Sequence, residues 1–360
     1  MKKLKLLYVV EAFGGGVFTY IESLANQLKE HFDILIAYGV REQTPDDIRS
    51  YFSDEVKLVR VKSFNRSINP LKDISAFHEV REIAKKFKPD VIHFHSSKAG
   101  VIGRFAFNGK RIPLFYTPHG YSFLMENHSQ IKRIAYRWIE QISALRCCTT
   151  ISCGKGEHKE SLALTKNAVY VDNGIDVESL EKMLSAISEK NVGKKSVFTL
   201  GRICYQKNPE LFNKIALHFP EIEFIWIGEG EMKDCLTAPN IKITGWLSKE
   251  QALQWASKSD IFILTSLWEG LPISLLEAMY MRKTCVVSDV IGNRDVIRNG
   301  RNGYVCSDEE AFVEAIKSAL SNDNSQLHEE AVEDIMKHYN TKVMAEEYRK
   351  IYMAAIKKQS

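Results

Sequence analysis

The chain has 360 residues, 45% of them apolar and 26% charged, with a formal net charge of +4. These are values of a soluble globular protein rather than a disordered or fibrous one. The length suits two α/β domains, and no apolar run approaches the roughly 20 residues of a membrane span.

The seven cysteines (147, 148, 153, 204, 235, 285 and 306) are odd in number and contain no Cys-x-x-Cys pair. Reduced thiols in a cytoplasmic protein are therefore expected, not a disulfide framework or a zinc site. Charge is unevenly spread. Residues 1–175 carry 26 Lys and Arg against 18 Asp and Glu, whereas 176–360 carry 23 against 27. A positive first half suits an anionic partner, either a lipid surface or a phosphate-bearing acceptor.

The first half alternates strands and helices. Residues 4–10 form an apolar strand; the basic start before it resembles a signal peptide, but its apolar part is short and Glu11 interrupts it. Gly14-Gly15-Gly16 then turns the chain into a helix over 18–29. Such a turn lets backbone approach a phosphate or sugar, although it is neither a Walker loop nor Gly-x-Gly-x-x-Gly. Strands are expected at 32–39 and 56–61, a loop at 66–70, and a helix over 71–87 ended by Lys88-Pro89. The strand 91–95 runs into Ser96-Ser97-Lys98-Ala99-Gly100 and a helix through Phe107, and the strand 113–116 into Thr117-Pro118-His119-Gly120. His95 and His119 thus fall at strand ends, where parallel sheets gather site residues.

Over 129–145, Ile131, Ile134, Ala135, Trp138, Ile139, Ile142 and Leu145 recur at helical spacing among Lys132, Arg133 and Arg137. The ordinary expectation is a helix packed by its apolar stripe on the sheet; the other is a basic face that docks on anionic lipid headgroups. Strands at 149–152 and 168–171 close this half. The pattern breaks between Asn173-Gly174-Ile175-Asp176 and a polar, charged stretch at 185–195.

A second winding starts with the strand 196–200, ending in Gly201-Arg202-Ile203-Cys204-Tyr205-Gln206-Lys207-Asn208. A glycine followed by two cations suits a diphosphate. Strands at 223–227 and 241–244 lead into Gly228-Glu229-Gly230 and Gly245-Trp246. The most informative stretch follows: an apolar strand over 260–265, then Ser266-Leu-Trp-Glu-Gly-Leu-Pro-Ile-Ser-Leu-Leu-Glu-Ala-Met279. Pro272 and Ile273 sit at the first turn of a helix, where proline is tolerated. The helix start offers unpaired N–H groups and the positive end of a dipole to a phosphate. Gly270 permits close backbone approach. Glu269 lies at the carboxyl end of the strand, and Glu277, eight residues on, can accept hydrogen bonds from paired hydroxyls such as those of a ribose. A strand at 284–288, a turn at 299–304 and a basic-ended helix over 341–357 complete the chain. The alternation predicts parallel sheets wound on both sides, an α/β fold.

The string from Ser266 to Met279, with its two glutamates eight apart around Gly270-Leu271-Pro272, resembles the signature of the retaining family 4 glycosyltransferases of the GT-B fold. Gly201-Arg202 through Lys207-Asn208 is similar to the segment that holds the donor diphosphate in that family. The His95-Ser96-Ser97-Lys98-Ala99-Gly100 and Thr117-Pro118-His119-Gly120 strings resemble acceptor-facing loops of bacterial polysaccharide and lipopolysaccharide transferases. The resemblance implies two Rossmann-like doubly wound domains facing across a cleft. The first is an acceptor-binding domain of 1–175 completed by about 342–360, the last helix crossing back to it; the second is a donor-binding domain of 176–341. It implies transfer of a hexose from a nucleoside diphosphate sugar, uridine being the favoured nucleoside, with retention, to a polyprenyl-diphosphate-linked saccharide at the inner face of the cell membrane. The protein would then be cytoplasmic and peripherally attached to an anionic membrane surface. His119, Glu269, Arg202 and Lys207 would serve catalysis. Gly15, Gly16, Gly201, Gly245, Gly270, Leu271, Pro272, Ile273 and Glu277 would bind the donor, and His95, Ser97 and Lys98 the acceptor. No Asp-x-Asp occurs in the chain, so no metal or other cofactor is expected, and nucleic acid is not among the expected partners. A sugar-nucleotide epimerase of the same fold, or an idle nucleotide-sugar-binding subunit, is the alternative.

Overall fold

The computed structural model describes residues 3–65, 69–125, 128–187 and 195–359. The loop expected around 66–68 and the polar stretch at 188–194 lie outside the described residues. The chain divides into two compact units, Met1–Asn173 with Thr341–Ser360, and Gly174–Asn340.

The first unit is built on a seven-stranded sheet of β1 (Leu4–Phe13), β2 (Phe32–Val40), β3 (Lys57–Arg60), β4 (Val91–His95), β5 (Leu114–Thr117), β6 (Thr149–Ser152) and β7 (Ala168–Tyr170). Their order is β3-β2-β1-β4-β5-β6-β7, and every pairing is parallel. Leu6 to Val10 of β1 have no exposed surface, as a strand covered on both faces requires. Their side chains alternate between two apolar layers. Leu6, Tyr8 and Val10 pack with the helix Gly15–Leu28 and the C-terminal helix Thr341–Gln359. Leu7 and Val9 pack with the helices Pro70–Phe87 and Ser97–Ala106. The helix Pro70–Phe87 shows why such punctuation works. Asn69 caps it by accepting from Lys72 N, proline opens it, and Lys88 ends it with φ +56.

The second unit has six parallel strands, β8 (Ser196–Leu200), β9 (Glu223–Ile227), β10 (Ile241–Ile243), β11 (Ile261–Leu264), β12 (Thr284–Ser288) and β13 (Tyr304–Cys306). They are ordered β10-β9-β8-β11-β12-β13. In each unit the order reverses once, between β1 and β4 and between β8 and β11, and ligands of such sheets bind beyond the carboxyl ends at that point.

The expectation that the helix at 129–145 lays its apolar stripe on the sheet is overturned. The helix spans Gln130–Ala144, but Ile131, Trp138 and Leu145 are 81%, 61% and 85% exposed. Glu140 and Ser143 are its buried residues. An ion pair sets this rotation: Glu140 accepts from Arg104 Nη2 at 2.6 Å and from the Tyr116 hydroxyl at 2.7 Å, all three side chains being buried. A lone carboxylate among apolar neighbours turns outward; one with a buried guanidinium waiting turns in.

Candidate active site

In the second unit the first candidate segment leaves β8 at Gly201, whose φ is +145. The loop then lies along the Gly228-Glu229-Gly230 turn. Gly201 N donates to Ile227 O at 3.0 Å, Ile203 N to Glu229 O at 2.9 Å, and Trp226 Nε1 to Gly201 O at 2.8 Å. A Cβ on Gly228 would stand 2.2 Å from Gly201 O, and one on Gly230 2.1 Å from Ile203 O. That close approach is the reason for both glycines. Gly245 adopts φ +75 near the Glu229 carboxylate.

The segment after β11 is stitched to the segment after β8. Thr265 Oγ1 donates to Lys207 O at 2.8 Å, Leu267 N to Gln206 O at 2.8 Å, and Gln206 Nε2 to Trp268 O at 2.9 Å. Lys207 Nζ then lies 2.7 Å from Glu269 Oε1, the side chains being 16% and 8% exposed. Ser266 Oγ donates to the same oxygen at 2.7 Å, and Gln206 Nε2 reaches Oε2 at 3.4 Å. Two of the residues expected to serve catalysis are therefore bonded to each other. Arg202 is the looser cation, its Nε 3.0 Å from Glu231 Oε2 in an exposed pair, which holds it weakly.

Gly270 and Leu271 lead to Pro272, which occupies the N-cap position rather than the first helical turn. No side chain caps the helix Ile273–Tyr280, so the N–H groups of Ile273 and Ser274 stand at an open, positive helix end. Gly292, with φ +89, packs its backbone on Gly270 O. Glu277 is buried within the helix, and burial raises its carboxyl above the usual range against the pull of Lys249, whose Nζ lies 3.5 Å from Oε1. Lys249 escaped the sequence reading because it sits far from every motif.

In the first unit, Gly15 (φ +54) and Gly16 face open space at the start of the helix Gly15–Leu28. At the end of β1, Glu11, 3% exposed, is held by Arg41 Nη2 at 2.6 Å, a pair that no local pattern in the chain announces. His95 and His119 are brought together: His95 Nδ1 lies 3.0 Å from His119 Nε2, and His119 Nδ1 lies 3.4 Å from Cys153 Sγ. His119 holds φ +54, a strained backbone for a residue with a side chain. Burial pushes its imidazole down to about 3 and that of His95 well below the usual range, so both are neutral at pH 7. Burial and the Glu157 carboxylate push the Cys153 thiol up. Cys153, His119 and His95 thus form one buried chain of groups within hydrogen-bonding distance of each other. Glu157, missed in the sequence, fixes both loops by accepting from Gly120 N at 2.6 Å and Cys153 N at 2.8 Å.

The C-terminal helix reaches this cluster. The Tyr348 and Tyr20 hydroxyls are hydrogen bonded, and Tyr352 Oη lies 2.6 Å from His93 Nδ1, whose Nε2 lies 2.9 Å from Thr117 Oγ1. Ser97 and Lys98 turn to other partners. Ser97 Oγ is 3.4 Å from the Tyr116 hydroxyl, and Lys98 Nζ is 2.7 Å from Asp73 Oδ1 and 2.8 Å from Asn65 Oδ1. All seven cysteines are free. Among the described residues no helix is long and apolar enough to cross a membrane.

Comparison with known proteins gives two family matches. Residues 14–179 match the model described as Glycosyltransferase Family 4, and residues 181–338 that described as Glycosyl transferases group 1. The chain is 32% identical over 319 residues to the UDP-Gal:alpha-D-GlcNAc-diphosphoundecaprenol alpha-1,3-galactosyltransferase of Escherichia coli, covering 80% of each chain. It is 23% identical over 341 residues, 89% of this chain and 90% of the other, to a Campylobacter jejuni GalNAc-alpha-(1->4)-GalNAc-alpha-(1->3)-diNAcBac-PP-undecaprenol alpha-1,4-N-acetyl-D-galactosaminyltransferase. Among solved structures, the sucrose-phosphate synthase of Thermosynechococcus elongatus superposes with a TM-score of 0.80 at 15% identity, covering 98% of this chain and all of the other. The paired Rossmann-like sheets, the stitched segments after β8 and β11 and these matches lead to one conclusion: the chain belongs to the family 4 glycosyltransferases of the GT-B fold, of the bacterial surface-glycan type.

Proposed function

We propose that the protein transfers a hexose, with retention, from a uridine diphosphate sugar to a polyprenyl-diphosphate-linked saccharide during assembly of a bacterial surface polysaccharide. The observation that carries this is the buried Lys207–Glu269 pair at the carboxyl ends of β8 and β11. It places a cation and a carboxylate beside an uncapped helix start, a set suited to a diphosphate and to sugar hydroxyls. The similarity to the E. coli enzyme, whose name specifies a UDP-linked donor and a diphosphoundecaprenol acceptor, supports the choice of substrates.

In this reading the anomeric carbon–phosphate oxygen bond breaks as the acceptor oxygen bonds the same face. The acceptor proton passes to the departing phosphate oxygen. Arg202, Lys207 and the amides at Ile273 and Ser274 offset the charge that develops on the diphosphate, so the reading requires no metal and no further cofactor. Glu269 accepts from the sugar hydroxyls, Glu277 from the ribose, and the glycines at 201, 245 and 270 let backbone approach the nucleotide. His119, neutral and held by His95, is assigned the orienting of the transferred sugar, and the loops carrying His95, Ser97 and Lys98 the acceptor. The place of action is the cytoplasmic face of the cell membrane, with the protein peripherally attached.

Radiolabelled UDP-galactose and UDP-glucose, offered with and without a polyprenyl-diphosphate-linked N-acetylhexosamine, test this directly. The expected result is a labelled lipid product with an α-linkage, formed equally with chelator present. Interconversion of the two nucleotide sugars without acceptor would make the protein an epimerase. Nucleotide-sugar binding without turnover would make it an idle partner subunit.

A further inference from the structure

The helix Gln130–Ala144 takes no part in the donor or histidine clusters, yet among the described residues it carries the largest run of exposed apolar side chains at helical spacing. Ile131, Ile134, Trp138, Ile142 and Leu145 are between 51% and 85% exposed. At 3.6 residues per turn they fall within an arc of roughly 80° and run for roughly 20 Å along the helix. Single exposed aliphatic residues are ordinary; five on one face form a patch that marks an interaction surface.

We infer that this helix is the element by which the protein lies on an anionic lipid bilayer, with its apolar stripe among the acyl chains and its cations at the headgroups. The inference deepens the proposed membrane attachment and takes its purpose from that reading, while the geometry stands by itself. Lys132 and Arg137 are exposed and flank the stripe on opposite sides, about 100–120° from its centre. Their stems can lie along the apolar surface while the charges reach phosphates. The helix contains one acid, Glu140, and it is buried on the opposite side against Arg104. That ion pair also holds the rotation, so the stripe faces outward in the folded protein. Every exposed charge on the helix is therefore positive. A second copy docked on the same face would set Lys132 and Arg137 against cations, which disfavours a dimer here. The unit that carries the helix has 31 Lys and Arg against 20 Asp and Glu, whereas the other unit has 18 against 25. The field around the helix thus draws it toward a negative surface.

The full chain, sedimented with phosphatidylglycerol-rich vesicles and with phosphatidylcholine vesicles at low salt, tests the assignment. Binding to the anionic vesicles is expected. Ile134→Ser with Trp138→Ser should weaken it about a hundredfold, and Lys132→Gln or Arg137→Gln about fivefold each. All these positions are exposed, so the melting temperature should hold. Brominated lipid should quench tryptophan fluorescence in the wild type and less in Trp138→Phe, which keeps an apolar ring. Failure of the wild type to bind anionic vesicles, undiminished binding by the double variant, or a lipid-free dimer that the double variant splits would each overturn the inference. The two readings fail separately. Vesicle binding by a protein that transfers no sugar removes the transferase reading and leaves the docking helix. Sugar transfer by a protein that binds no vesicle removes the docking helix alone.

Discussion

Replacing Lys207 by Met tests how much the buried ion pair contributes to the unit Gly174–Asn340. In the structure Glu269 has three partners, Lys207 Nζ at 2.7 Å, Ser266 Oγ at 2.7 Å and Gln206 Nε2 at 3.4 Å, and it is 8% exposed. Removing one member of a buried pair costs about 3–5 kcal/mol, because the other charge is left without its counterion. Ser266 and Gln206 survive, so the low end applies, about 3 kcal/mol. For a unit the size of Gly174–Asn340 that is a fall of roughly 6–12 °C in its melting transition. Lys207→Met with Glu269→Gln removes both charges and keeps an acceptor for Ser266, so the cost should fall to about 1 kcal/mol. Scanning calorimetry of the wild type, both single variants and the double variant closes the cycle. A Lys207→Met protein that melts within a degree or two of wild type, or a double variant no more stable than the single, would refute the reasoning.

Three further outcomes follow from named contacts. Gly228→Ala, with a Cβ 2.2 Å from Gly201 O and φ +146, should cost about 3 kcal/mol or more, read as a lowered urea midpoint. Gly15→Ala, at φ +54 with open space around it, should cost about 1 kcal/mol. Arg104→Met should cost about 3–5 kcal/mol by stranding Glu140, and adding Glu140→Leu should restore most of it in the same assay. Acid should destabilise the unit that holds the histidines. His93 and His95, with no exposed surface, are held neutral far below their usual titration range, and His119 to about 3. The unfolded chain binds protons from about pH 6.5 downward while the folded one does not, so stability is full above that pH. It falls by about 1.4 kcal/mol per pH unit for each fully buried histidine as pH drops toward 3. His95→Leu should flatten the slope of the urea midpoint between pH 6 and 5.

The alternation of strands and helices, and most strand positions, were legible because buried parallel strands are short β-branched runs. The strand Val91–His95 and the strand Thr284–Ser288 need no tertiary information to be recognised. The end of β1 was not: it continues to Phe13 because Phe13 pairs with Val40 beyond an irregularity. The helix Lys155–Leu162 was missed because it has little apolar periodicity; its buried residues are Gly156, Glu157 and Ser161. Chain-local patterns also found the segments after β8 and β11. They could not show that Lys207 meets Glu269, since that contact depends on the strand order. The amphipathic helix shows the sharper limit. Periodicity says that one face differs from the other, and only a partner elsewhere in the chain, here Arg104, decides which face turns inward.

The same limit bears on how cations at a site are counted. Arg202 and Lys207 both read as diphosphate ligands in the sequence, yet they stand differently in the fold. Arg202 belongs to an exposed pair, which is worth little and yields easily to a ligand phosphate. Lys207 belongs to a buried pair with the carboxylate proposed to hold the sugar, so a bound donor must redistribute that interaction instead of adding to it. In the proposed function, sugar hydroxyls that reach Glu269 would relieve its demand for the ammonium and so free Lys207 for phosphate. Recognition of the sugar and neutralisation of the leaving group would then be linked through this one ion pair. On the same reading, a free nucleoside diphosphate, which offers the phosphate without the hydroxyls, would meet a lysine still held by Glu269, and the arrangement would favour the intact donor over the spent one.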